Sequence, residues 1–103
     1  MFREAKQQRE GIMLTKSEIK SFSKGHFFSK DTMRFFSSRI ETQGLIKGQD
    51  VFFLTSEKSG FSDNSRAYTL RILNLETGSV DTVGEFLEYK TRKEALEAWR
   101  ACR

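Results

Sequence analysis

Lys16, Lys20 and Lys24 recur every four residues, so on a helix they stand in one row with no acidic partner inside it. Like charges at that spacing repel by a few tenths of a kcal/mol per pair. The row is therefore either a solvated face or a ridge that tracks phosphates. Arg92 and Lys93 fall in the first turn of a second predicted helix, where the positive end of the helix dipole disfavours a cation by about 0.3–1 kcal/mol. Free amides with two cations make an anion site there; two exposed charges without a ligand are the alternative. Lys58 and Arg66 flank a polar loop, and Lys30, Arg34 and Arg39 lie in and beside the stretch FFSKDTMRFFSSRI (27–40). Arg39 and Arg71 are predicted strand residues that face outward beside Phe35 or Tyr68. Cations interleaved with exposed aromatics suit single-stranded nucleic acid, although a small domain needs most of its aromatics for the core. Together these eleven residues form the candidate site for a nucleic acid or another anionic partner.

Catalytic chemistry finds less support. His26 is the only histidine, which leaves no His-rich metal site, and near a helix C-terminus it favours its charged form. Cys102 is the only cysteine. It sits on an apolar stripe with no general base in view, so it reads as a small hydrophobe rather than a nucleophile. Glu18 and Glu94 are used in helix caps, and nothing marks Asp81, Glu85 and Glu88 as a catalytic set. Neither a Walker sequence nor a G-x-G-x-x-G run is present. The residues predict no catalytic group, no metal and no cofactor.

The elements that must position the cations follow from local patterns. Thr15-Lys16-Ser17-Glu18 is a capping box, with Leu14 and Ile19 as its hydrophobic staple, and Gly25 is a C-terminal stop. A short helix over about 16–24 follows. Residues 34–41 look strand-like, with Phe36, Ser38 and Ile40 on one face. Gly44 and Gly48 bracket a connection. DVFFLTS (50–56) is the clearest strand, apolar on both faces. Residues 57–65 read as a polar loop. Residues 66–74 alternate Tyr68, Leu70 and Ile72 against Thr69 and Arg71, a half-buried strand. Glu76-Thr77-Gly78 closes a hairpin into 79–83. Thr91-Arg92-Lys93-Glu94 caps a last helix whose stripe is Ala95, Leu96, Ala98, Trp99 and Cys102. The predicted fold is α+β in two layers: an antiparallel sheet of three or four strands, with a short N-terminal helix and a C-terminal helix packed on it. Residues 1–13 form a polar N-terminal arm, and 14–103 one domain.

Composition bounds the rest. The chain has 103 residues, 10 of them Phe, and a net charge of +4. A domain of this size buries roughly two-thirds of its unfolded surface, and each large aromatic adds about 150–250 Å² of that burial. The cationic excess fits nucleic acid, an acidic protein surface or an anionic membrane without choosing among them. A lone cysteine, no signal peptide and no apolar run near the ~20 residues of a membrane span predict a cytoplasmic protein that makes no use of a membrane.

The segments FFSKDTMRFFSSRI and DTVGEFLEYKTRKEALEAW resemble a family of small uncharacterised proteins of phages and other mobile elements. In that family a D-T-M-R-F-F-x-S-R block precedes a sheet, and a T-V-G-E-F block precedes a helix starting near T-R-x-E-A. The resemblance covers roughly residues 26–99 and carries no catalytic residue. It implies a non-enzymatic inhibitor of a host defence system, anti-CRISPR-like, that binds a nuclease or its nucleic-acid complex; the host protein or ribonucleoprotein is then the partner. The alternative is a DNA- or RNA-binding module or regulator that uses its basic faces on phosphates. The predicted α-β-β-β-α order is also similar to double-stranded RNA-binding domains, without their tight lysine cluster, and to the arm-binding domains of phage integrases.

Overall fold

The computed structural model describes residues 13–23, 38–58 and 65–102. Lys24, Lys30 and Arg34 of the candidate set, and the Gly25 stop, lie outside them. The elements are β1 (Met13–Leu14), α1 (Lys16–Ser23), β2 (Arg39–Ile40), β3 (Gly44–Lys47), β4 (Asp50–Lys58), β5 (Arg66–Asn74), β6 (Val80–Val83) and α2 (Arg92–Arg100). The fold is α+β, with one antiparallel sheet ordered β1-β3-β4-β5-β6 and β2 pairing with β4 beyond the end of β3.

The sheet is larger than the three or four strands expected. The segment between Gly44 and Gly48, expected as a connection, is β3, which pairs Leu45 with Phe52 and Ile46 with Val51. Gly44 marks a close approach rather than a loop. A Cβ there would collide with Val51 Cγ1 and lie 3.3 Å from Ile19 Cδ1. Gly48, at φ 66°, opens the two-residue turn into β4, where a type II′ hairpin needs a left-handed residue. Met13 and Leu14 pair with Leu45 and Gly44 and add a further edge. The expected order, a helix, three or four strands and a helix, holds in outline but is extended: among the described residues a strand precedes α1, and five strands stand between α1 and α2.

Both helices start as their caps dictate. Glu18 N donates to Thr15 Oγ1 at 3.2 Å, and Thr15 N donates to Glu18 Oε1 at 2.8 Å, a reciprocal box. At α2, Glu94 N donates to Thr91 Oγ1 at 3.2 Å, but the Glu94 carboxylate takes the Thr91 hydroxyl instead of its amide.

The nine-residue β4–β5 ladder is the spine, from Asp50 opposite Asn74 to Lys58 opposite Arg66. Side chains alternate across it, and each face has its own cluster. Val51, Phe53 and Leu73 pack with Leu14 and Ile19 of the α1 side. Leu54 and Leu70 pack with Ala95, flanked by Tyr68, Leu96, Trp99 and Cys102 of the α2 side. The helices thus cover opposite faces. Trp99 Nε1 donates to the Phe52 carbonyl at 2.9 Å and pins α2 across the sheet. Among the described residues no helix is long and apolar enough to cross a membrane.

Candidate basic interface

The β4–β5 ladder is polarised along its length. Asp50 stands at one end, with Asp81 beside it in the same shallow hollow, and Lys58 faces Arg66 at the other. Nine residues of antiparallel strand separate these ends by roughly 27 Å, beyond a Debye length at physiological salt. The two cations at the Lys58–Arg66 end are thus too far from Asp50 and Asp81 to be neutralised by them.

Register builds that end. Arg39 pairs with Ser56, Ser56 with Tyr68 and Lys58 with Arg66, so all five project from the α2 face. Glu41, two residues after Arg39, holds its place through its amide, which donates to the Leu54 carbonyl at 2.8 Å. Its carboxylate gathers the surroundings. Arg92 Nη1 donates to Oε1 at 2.8 Å, and Ser56 Oγ donates to Oε2 at 2.6 Å. Arg66 Nε in turn donates to Ser56 Oγ at 2.9 Å, and its Nη2 donates to the Ser56 carbonyl at 2.7 Å. Burial first, and then the neighbouring Arg39, lower the pKa of Arg66; Glu41, Glu57 and Tyr68 oppose them. Several cations thus share the field of one partly exposed carboxylate.

The basic surface continues in both directions. Arg66 and Lys90 line a hollow of about 490 Å³ with Ser65, Ala67 and Leu87. On the other side Arg39 shares a smaller groove, about 210 Å³, with Lys16 and Lys20 of α1. Lys16, Lys20, Arg39, Lys58, Lys90, Arg92 and Lys93 are all exposed. The band runs from α1 round the β2 edge to the start of α2. Sequence reasoning missed Lys90 and Glu41. The run Lys90-Thr91-Arg92-Lys93 carried a signal for the first; nothing local marks the second, 51 residues from Arg92.

Arg71 does not belong to this band. It was expected to face outward beside Tyr68, but it projects from the opposite face and is 4% exposed. Its Nη2 lies 3.2 Å from Glu57 Oε2, Nε donates to Thr55 Oγ1 at 3.1 Å, and Nη1 donates to Thr82 Oγ1 at 2.6 Å. Its guanidinium stands 5.5 Å from the centre of the Phe86 ring. Ser38 and Thr69 hydroxyls also donate to the Glu57 carboxylate. Glu57 was expected in a loop, but β4 runs to Lys58 and carries it inside. Desolvation lowers the pKa of Arg71, and Glu57 opposes that shift. A buried pair so fully hydrogen-bonded is a structural device. Among the described residues no three His, Cys, Asp or Glu side chains gather as a metal site.

No curated protein and no solved structure matches the chain. One family model does, over residues 13–100, and the chain belongs to that family, a family of unknown function (DUF7447). The match reaches back to β1 and α1, beyond the stretch that the sequence blocks covered. The resemblance to an uncharacterised family is thereby shown, and with it comes no activity.

Proposed function

We propose that this family member is a non-enzymatic binding protein whose basic band takes the phosphate backbone of a nucleic acid. One observation carries the reading: Arg92 and Arg66 converge on the Glu41–Ser56 pair, with Arg39 alongside and further lysines on both flanks. An extended row of exposed cations suits a repeating anion better than a single small one. On this reading, the anti-CRISPR-like inhibitor role implied by the family resemblance is exerted through the nucleic acid of the host complex.

The test is fluorescence anisotropy with labelled duplex DNA, single-stranded DNA and duplex RNA, at low and at physiological salt. The expected result is micromolar or tighter binding that weakens steeply with salt. Arg39→Ala and Lys20→Ala should each weaken it across sequences and lower the salt slope by about 1. Absent or salt-insensitive binding overturns the reading, and capture of a host protein free of nucleic acid then becomes the experiment.

A further inference from the structure

We infer that Arg92, Ser56 and Arg66 form a phosphodiester seat, and that Glu41 is its resident anion, which the bound backbone displaces. The inference rests on the nucleic-acid reading above and deepens it. The three residues come from α2, β4 and β5; Arg92 and Ser56 aim polar hydrogens at one carboxylate, and Arg66 holds the serine. Arg92 Nη1 and Ser56 Oγ reach one carboxylate oxygen each, and Arg66 Nε orients the Ser56 hydroxyl from behind. Two oxygens on one centre, each taking a donor, is the geometry that a carboxylate shares with a phosphodiester.

The occupant can leave. The Glu41 side chain is 22% exposed, and Arg92 is 50% exposed. The Glu41 backbone is fixed by its own ladder bond to Leu54, so moving the carboxylate out needs side-chain rotation alone. The seat itself stays: Arg66 remains anchored on the Ser56 carbonyl, and Arg92 on the capped turn of α2. Glu41 thus keeps the arginines apart from weak anions and sets a threshold that a polyanion must exceed. Surface charges of this kind act on affinity and its salt dependence together.

The experiment measures oligonucleotide binding by wild type, Glu41→Gln and Arg92→Gln at two salt concentrations. It also records the arginine Nε–Hε resonances of the wild-type protein during the titration, so the outcome does not depend on a variant folding. Inorganic phosphate and poly-glutamate are the comparison probes. Glu41→Gln should bind about two- to tenfold tighter and Arg92→Gln more weakly. The Arg66 and Arg92 resonances should move with the oligonucleotide far below the concentration at which inorganic phosphate moves them. If wild type binds but Glu41→Gln is no tighter, or the two resonances stay still, the seat is wrong and the nucleic-acid reading stands. If no form binds oligonucleotide, both fall. Poly-glutamate binding in that case would assign the band to an acidic protein.

Discussion

The Arg71 guanidinium and the Glu57 carboxylate meet at 3.2 Å on the face of the sheet opposite α2, with side chains 5% and 0% exposed. They lie fourteen residues apart in sequence, and the β4–β5 register brings them together. Removing one partner of such a pair strands the other charge, at a cost of about 3–5 kcal/mol. Glu57→Ala and Arg71→Ala should each destabilise by that order in urea denaturation. The double variant Glu57→Ala/Arg71→Ala should lose less than the sum. Additive losses would mean that the two charges do not stabilise each other.

Gly44→Ala tests the close approach of β3 to α1. The new methyl meets Val51 Cγ1, with Ile19 beside it, and overpacking of a tight core costs about 1–3 kcal/mol. Adding Val51→Ala makes room for it. The pair should therefore be less destabilised than the two single losses predict; strict additivity would refute the contact.

The cap of α2 positions Arg92. Thr91→Ala removes the acceptor for Glu94 N, and the expected loss is about 1 kcal/mol, with most of it restored by Thr91→Ser. A loss as large in Thr91→Ser as in Thr91→Ala would show that the methyl group, not the hydroxyl, matters.

The Cys102 thiol is raised above its ordinary value of 9.0, chiefly by burial, with Lys47 acting the other way. A raised folded pKa means that the neutral thiol is favoured in the native state. Its contribution is complete below the unfolded value and is lost as pH rises through the folded one. Iodoacetamide should therefore label native protein at pH 8.5 more slowly than protein in denaturant. The loss of stability above about pH 9 should be shallower in Cys102→Ala. Tyr89 is raised as well, by burial first and then by Glu88, so some alkaline loss should persist in that variant. Equal labelling rates in both states would place the thiol in water.

Local signals read correctly where the determinants are local. The capping box of α1, the Thr91 cap of α2, the strand at 50–56 and the turn after Asn74 depend on residues within a few positions of one another, and each forms, although at α2 only the Thr91 half of the expected box does. β3 was illegible because Gly44 looks like a loop residue until Val51 and Ile19 are packed on it. Arg71 was misread because polar alternation signals solvent only when the polar face is left uncovered. Ending β4 at Ser56 also hid its counter-charge one residue further on.

The sequence alone determined an α+β domain with a helix near each end of a β-rich middle, because hydrophobic period and caps are short-range properties. It also supplied an excess of cations. The tertiary structure decided where those cations stand relative to one another. Strand register set Arg39, Lys58 and Arg66 on one face and turned Arg71 to the other, since a shift of one residue exchanges the faces of a strand. Docking of α2 across the sheet then brought Arg92 to Glu41 over a separation of 51 residues. Long-range packing of this kind, which no local pattern encodes, makes a scattered set of charges into a surface.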